Sequence, residues 1–257
     1  MDTQNDSRPS GDGARRYMAA DSKTRKNRCA EDIKRRILTQ NLEPGSNLDE
    51  TTLAEFYEIS RPPLREVLRQ LAGEGYAILT ENRGAQVAPM THKTLRNFLI
   101  AAPMIYAAVT RLAAQNATEA QITRLKDVQS RFRHEIRSGD VEGRALLNMQ
   151  FHAMIGEIAD NEFLMPSQRR LLIDHTRIAM TFYNPRHGAM AEQRAIAADH
   201  HDEFIALIEA GNADAAAALA VAHWDLSRTE IESFVMPPSI DIPLGRLPGS
   251  ATLEGAT

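Results

Sequence analysis

The spacing of apolar residues changes near residue 91, and this change divides the chain into two parts. Before it, short apolar stripes predict helices at about 27–40, 49–57 and 61–73, followed by two brief strands on either side of a turn at 82–84. After it, longer stripes predict helices at about 92–116, 119–138, 141–159, 162–182, 190–210 and 213–235. The fold class that this pattern indicates is mainly α: an N-terminal winged helix-turn-helix followed by an all-α antiparallel helical bundle.

Turn and capping signals set the expected domain boundaries. Ser60 is the expected N-cap of the helix at 61–73, with Pro62 and Pro63 in its first turn, where missing amides cost little. The first residues are polar, and the C-terminal end is rich in proline. The expected domains are a disordered basic arm at 1–26, the winged helix-turn-helix at 27–90, the helical domain at 91–236 and a flexible tail at 237–257.

The composition is that of a globular helical protein, because 43% of the 257 residues are hydrophobic and only 5% are aromatic. The single cysteine, Cys29, excludes an internal disulfide and fits a reducing compartment. The N-terminal residues do not have the apolar core of a secretory signal, and the longest apolar run, at 98–109, is too short to span a bilayer. We therefore expect a cytoplasmic protein with no membrane partner.

The distribution of charge permits nucleic-acid binding although the net charge is −4. Residues 1–90 hold fourteen basic and fourteen acidic side chains, so the acidic excess lies in 91–257. The second helix of the helix-turn-helix carries Arg61, Arg65 and Arg69 at four-residue spacing, which places them on one face. Such a face suits phosphates and guanine edges in a major groove. The alternative is that these arginines only form a solvated surface.

Several linked motifs between residues 27 and 90 resemble the signature of the GntR family of bacterial transcription regulators. They are Pro44-Gly45, Leu53-Ala54, the run Ser60-Arg61-Pro62-Pro63-Leu64-Arg65-Glu66-Val67-Leu68, Leu71, Glu74-Gly75 and Arg83-Gly84. The resemblance implies that the second helix and the wing tip enter the operator. The implied DNA-binding residues are Ser60 on a phosphate, Arg61, Arg65 and Arg69 on bases or phosphates, and Arg83 with Gly84 near the minor groove.

Two positions depart from that family pattern. Pro62 stands where a threonine is frequent and Thr51 where some members have a DNA-contacting arginine, so base choice at these positions is expected to differ. Glu66 would repel phosphate, and we expect it to pair with Arg69 or Arg65 instead.

The helical domain resembles the FCD type of ligand-binding domain found in the FadR-type branch of that family, over about residues 92–235. The resemblance is carried by the run from Asn148 to His152, the pair His200-His201, the turn at 209–214 and His223. It implies a divalent metal, with zinc or nickel favoured, bound by Asn148, His152, His201 and His223.

The spacing of these residues supports the same grouping independently. Asn148 and His152 are four residues apart and share a helix face, while His201 and His223 each lie eleven residues from Asn212. If the turn at Asn212 joins two antiparallel helices, the two imidazoles lie level and adjacent. Three converging imidazoles suit zinc, nickel or another late transition metal.

The oxygen ligand at position 148 is unusual, because Asn148 replaces the usual aspartate and offers a neutral amide oxygen. We expect weaker metal affinity for this reason. The alternative is that the histidines form hydrogen bonds in a polar core or bind an effector directly.

The carboxylate clamp usual for this branch is absent from the first helix of the bundle, where Ala102 and Tyr106 occupy the positions of an arginine and a glutamate. Either another cation binds the effector, with Arg177 and Arg194 as candidates, or the effector is not a simple carboxylate.

The function predicted from these observations is a ligand-responsive transcription regulator and not an enzyme. A homodimer would bind a short palindromic operator in double-stranded DNA, and a small-molecule effector would act through the helical domain. The alternative is a metal-dependent hydrolase or lyase that uses the three histidines, with Glu157, Asp199 and Asp202 available as general bases. An architectural DNA-binding protein without a ligand is disfavoured by the polar residues predicted inside the bundle.

Overall fold

The computed structural model describes residues 11–80, 84–182 and 191–235, with side chains described at 24–80, 84–180, 195–226 and 228. Its helices and strands follow the predicted order except for an additional short strand between the first two helices. In chain order they are α1 (Gly11–Leu38), β1 (Asn47–Leu48), α2 (Glu50–Phe56), α3 (Arg61–Glu74), β2 (Ala77–Thr80), β3 (Gly84–Val87), α4 (His92–Asn116), α5 (Glu119–Ser138), α6 (Val141–Ala159), α7 (Leu164–Phe182), α8 (Ala191–Glu209) and α9 (Ala213–Val235).

The elements α1–α3 and β1–β3 form a small domain that we call the head. Its helices pack through a core that includes Ile33, Leu64 and Leu71, each fully buried. Helix α3 ends at Gly75, whose φ of +91° is the left-handed conformation that glycine adopts without strain. The chain then turns into the hairpin β2–β3, and the short strand β1, which the apolar pattern did not reveal, pairs with β3 to complete an antiparallel sheet of order β1-β3-β2.

Helices α4–α9 form the second domain, which we call the bundle. Helix α4 packs against α6, α7 and α9, and the core includes Phe98, Leu125 and Phe151. The predicted capping box is confirmed: the Thr118 hydroxyl accepts from the Gln121 amide, and the Gln121 side chain accepts from the Thr118 amide. Among the described helices, α4 alone has the length and hydropathy of a membrane span, and it also packs against three other helices of the bundle.

The observed bundle helices begin and end within two residues of the predicted bounds. The arm predicted for residues 1–26 is wrong in part, because α1 begins at Gly11 rather than near Asn27. The segment 14–26 is rich in alanine, arginine and lysine, which are strong helix formers, so it extends the helix although it offers few apolar side chains. The tail predicted at 237–257 lies outside the described residues.

The head and the bundle meet at helix α7. Ile173 of α7 is 2% exposed and belongs to the core of the head, and Leu146 and Met149 of α6 pack against the same core. Arg35 and Asn41 of the head both contact the Glu142 carboxylate at the start of α6. Helices α6 and α7 therefore both pack against the hydrophobic cores of the head and the bundle.

Candidate metal centre and nucleic-acid interface

Three buried histidines from three helices converge inside the bundle. His152 lies on α6, His201 on α8 and His223 on α9, and one ring nitrogen from each falls within 4.8 Å of the others. The ring centroids of His201 and His223 are 5.1 Å apart, as the eleven-residue spacing on each side of Asn212 predicts. The turn between α8 and α9 is made at Gly211, with φ of +68°, and it brings the two imidazoles level.

Burial keeps these imidazoles neutral. Desolvation, with a smaller contribution from His175, lowers the pKa of His152 to about 3. The pKa values of His201 and His223 are also lowered well below the usual value, first by burial and then by the neighbouring histidines. A neutral imidazole has a free lone pair on one nitrogen and is the form that binds a metal ion.

Each of the three histidines has one buried ring nitrogen without a hydrogen-bond partner among the described residues. His152 Nε2, His201 Nε2 and His223 Nδ1 are buried and accept or donate no hydrogen bond among the described residues. A buried polar atom left without a partner costs about 1–3 kcal/mol, so three of them at one place are unfavourable unless something binds there. A divalent ion fits this donor set, because imidazole nitrogen is a preferred ligand of zinc and nickel.

The fourth predicted ligand lies nearby. Asn148 is one turn before His152 on α6 and is half-buried, so it shares the helix face of that histidine. His200 lies outside the set of three, although its ring centroid is 5.6 Å from that of His223.

Three further polar residues beside the cluster were not identified from the sequence. The Tyr106 hydroxyl lies 3.2 Å from His175 Nδ1, and the His175 ring centroid lies 6.0 Å from that of His152. Burial lowers the pKa of His175 to about 4, so it is also neutral. The third residue, Gln129 of α5, contacts the His201 ring. His175 occurs within a helix of otherwise ordinary pattern, and only the tertiary packing reveals its proximity to His152.

The two arginines predicted to bind an effector lie elsewhere or are not described. Arg177 is fully buried at the junction of head and bundle, where Nη1 lies 3.1 Å from the Asp174 carboxylate and Nη2 donates to the Ala88 carbonyl at 2.5 Å. Both terminal nitrogens of its guanidinium are therefore engaged in contacts within the protein. Arg194 is in the first turn of α8, and its side chain is outside the described residues.

The basic face of the head has the form that the sequence predicts. Arg61, Arg65 and Arg69 of α3 are all exposed, while the apolar side of the helix is buried against the head core. Ser60 is in the N-cap position, but its hydroxyl makes no capping hydrogen bond, because Pro62 and Pro63 have no amide hydrogen to donate. The Ser60 hydroxyl is therefore available to a phosphate.

Two of these arginines are held by side chains of helix α2. Arg65 forms an ion pair with Glu50 at 2.9 Å, and Arg61 donates to the Thr51 hydroxyl at 3.1 Å. The expectation that Glu66 pairs with Arg69 or Arg65 is wrong, because Glu66 contacts Lys26, which α1 places directly across from it.

The wing tip is described only in part. Arg83 lies outside the described residues, whereas Gly84 opens β3 with φ of +76°.

Comparison with known proteins agrees with this geometry. The family model "Bacterial regulatory proteins, gntR family" matches residues 25–87, and the model "FCD domain" matches residues 104–226. The chain belongs to the GntR family. The two matches coincide with the head and with most of the bundle.

Relatives of this GntR protein are themselves regulators by name. The Nta operon transcriptional regulator of Aminobacter aminovorans is 28% identical over 136 residues, which are 52% of this chain and 63% of that protein. The HTH-type transcriptional repressor RspR of Escherichia coli is 29% identical over 128 residues, which are 50% of this chain and 56% of that protein. The chain thus matches little more than half the length of these relatives.

A solved structure shares the fold over most of the chain. McbR/YncC of E. coli superposes with a TM-score of 0.69 at 17% identity, covering 80% of this chain and 96% of that one. At this identity the likeness shows the arrangement of head and bundle and does not extend to ligands.

Proposed function

We propose that the protein is a ligand-responsive bacterial transcription regulator of the FadR subfamily that works in the cytoplasm. The observation that carries the proposal is the exposed basic face of α3 in a winged helix-turn-helix, joined to a bundle with buried, unpartnered histidine nitrogens. The regulators of the nta operon and RspR, which resemble the chain over about half its length, support the same conclusion.

DNA binding is assigned to the head. Arg61, Arg65 and Arg69 would contact bases and phosphates of double-stranded operator DNA, with Ser60 on a phosphate and the wing at Arg83 and Gly84 near the minor groove. A homodimer would present two heads to a short palindromic site, because two-fold symmetry in the protein is mirrored in the DNA.

Effector sensing is assigned to the bundle. His152, His201, His223 and the amide oxygen of Asn148 would hold a divalent transition metal, zinc or nickel. Such an ion would supply positive charge and open coordination positions for an oxygen or nitrogen donor of a small metabolite. The ion would thus supply the positive charge for the effector that Ala102 and Tyr106 cannot provide, since both side chains are uncharged. Arg194 stays a candidate for a further contact.

The DNA-binding assignment is tested by fluorescence anisotropy on a duplex selected by the wild-type protein from a random library. Arg65→Ala should weaken binding and should lower the slope of log affinity against log salt by about one. Arg124→Ala removes another exposed arginine, on α5 of the bundle, and should change neither quantity. Unchanged binding by Arg65→Ala would show that α3 is not the recognition helix.

The metal assignment is tested by elemental analysis of the untagged protein after exposure to zinc or nickel. We expect close to one ion per chain for the wild type and loss of the ion in His201→Ala. His134→Ala, which removes an exposed histidine of α5, should retain it. Equal metal content in the wild type and His201→Ala would exclude the cluster as the binding site.

The competing function, a metal-dependent hydrolase or lyase, is not supported. It would need a general base near the histidines, and the candidates Glu157, Asp199 and Asp202 are exposed on the surface. Asp199 and Asp202 form ion pairs with Arg133 there. Relatives and family point to regulation rather than catalysis.

A further inference from the structure

A buried glutamine of α5 contacts the ring of His201 at the nitrogen Nδ1. Gln129 is 3% exposed, and its Oε1 lies 3.0 Å from His201 Nδ1. Its Nε2 donates to the backbone carbonyl of Ala198 at 2.9 Å. The glutamine thus joins the His201 ring to the backbone one turn earlier in the same helix.

The Ala198 contact fixes the orientation of the glutamine amide. A carbonyl oxygen only accepts hydrogen bonds, so the NH₂ group must face Ala198 and Oε1 must face His201. Oε1 is itself only an acceptor, so His201 Nδ1 must carry the hydrogen and donate it. In a neutral imidazole the other nitrogen then has the lone pair, and that nitrogen is Nε2, which is buried without a hydrogen-bond partner among the described residues and is the atom left for His201 to offer to the cluster.

The plane of the His201 ring is fixed as well. The ring stacks on Phe151 with centroids 4.0 Å apart and an interplanar angle of 9°, and Phe132 lies against it at 4.8 Å. Stacking restrains the ring plane, whereas the bond to Gln129 determines which nitrogen is protonated. These are separate restraints on separate properties of one ligand.

We propose that Gln129 is a positioning residue that holds His201 in the Nδ1–H tautomer and so presents the Nε2 lone pair to a metal ion bound by the cluster. This inference rests on the proposed metal site. Hydrogen-bonded partners of metal-binding histidines typically change metal affinity by about 10–100-fold when they are removed. Gln129 fulfils that role with a neutral amide.

Three variants separate positioning from general packing. Gln129→Met keeps the length of the side chain and removes both hydrogen bonds. Gln129→Glu restores an acceptor for His201 Nδ1 but gives up the donor to Ala198. Gln168→Met is the matched control, because Gln168 is 1% exposed and bonds the His152 backbone carbonyl at 2.8 Å rather than a ring nitrogen.

Zinc affinity of each full-length protein is measured by competition with a chromophoric chelator, and unfolding is measured separately without metal. We expect Gln129→Met to bind zinc about 10–100-fold more weakly than wild type, whereas Gln129→Glu and Gln168→Met stay within about threefold. Both Gln129 variants should lose stability without metal, because each leaves Ala198 without its side-chain donor. Equal zinc affinity in Gln129→Met and wild type would overturn the inference while leaving the metal site in place.

A second measurement on the metal-free wild type does not depend on variants that fold poorly. Nitrogen-15 NMR of the imidazoles should show His201 protonated at Nδ1 and not at Nε2. An Nε2–H tautomer would overturn the positioning role. A wild type that shows the Nδ1–H tautomer but binds no zinc would instead refute the metal site, and with it the purpose proposed for Gln129.

Discussion

The Asp174 carboxylate lies 3.1 Å from the Arg177 guanidinium, and both side chains are buried where the head meets the bundle. Arg177 also donates to Ala88, which follows the last strand of the wing. The next residue after Asp174 is His175, whose ring lies close to His152 of the cluster. Consecutive residues of α7 therefore contact the domain junction and the ring that lies beside the histidine cluster.

Arg177→Met should destabilise the protein by about 3 kcal/mol, because it leaves the Asp174 carboxylate with only Arg170 and removes the donor to Ala88. The free energy of unfolding is measured in urea. Arg169→Met, an exposed position on the same helix, should change it by less than about 0.5 kcal/mol. Equal stability of the two variants would contradict a structural role for the buried pair.

Gly75→Ala tests the contact between the end of α3 and the bundle. Gly75 and Gly45 both have positive φ, +91° and +79°, so alanine at either position is strained by about 1–2 kcal/mol. A Cβ at Gly45 would meet open space, whereas at Gly75 it would overlap the Arg170 side chain and displace it from Asp174. We expect Gly75→Ala to lose about 1 kcal/mol more than Gly45→Ala in urea unfolding. Equal losses would mean that Arg170 moves aside without cost.

The order and extent of the bundle helices could be predicted from the sequence because caps and apolar stripes are local signals. Thr118 and Gln121, for example, mark the start of α5 by residue type and spacing alone. Strand β1 could not be predicted in this way, because its two residues form a strand only through pairing with β3. The start of α1 at Gly11 could not be predicted from apolar spacing, because residues 11–26 have few apolar side chains and only their helix propensity indicates a helix.

The histidine cluster could be predicted because three helices with known spacing bring its members to one level. His175 and Gln129 could not, since their relation to the cluster depends on how α7 and α5 rotate against α6 and α8. For Arg177 the sequence leaves two roles open, because a lone cation on an apolar helix can bind a ligand or form a buried ion pair. Its partner Asp174, three residues earlier, is the local signal that favours the ion pair.

Acid should destabilise the metal-free protein through its buried histidines. The pKa of His175 is about 4 in the folded protein and about 6.5 when unfolded, so only the unfolded state gains a proton between these values. Its contribution to stability is complete above pH 6.5 and is lost as the pH falls towards 4, at about 1.4 kcal/mol per pH unit.

Urea unfolding in the presence of chelator at pH 7, 6 and 5 measures this dependence. His175→Gln keeps a hydrogen-bonding side chain beside Tyr106 but does not titrate, so the loss of stability between pH 6 and 5 should be smaller than in wild type by about 1 kcal/mol. His134→Gln, at an exposed position of α5, should retain the wild-type dependence. A His175→Gln protein with the wild-type dependence would show that the pKa of His175 does not differ between the folded and unfolded states.

Asn148→Asp should strengthen metal binding if the side chain at position 148 is the fourth ligand. The substitution replaces a neutral amide oxygen by a charged carboxylate oxygen one turn from His152. The two side chains have nearly the same shape, so the main change is the electrostatic attraction between the carboxylate and a divalent cation. We expect zinc affinity to rise by about tenfold or more, equivalent to about 1.4 kcal/mol. Gln150→Glu places the same charge at an exposed position of α6 and controls for the change in net charge. If both variants bind zinc equally well, the oxygen at position 148 is not a ligand, and the three imidazoles alone must hold the ion.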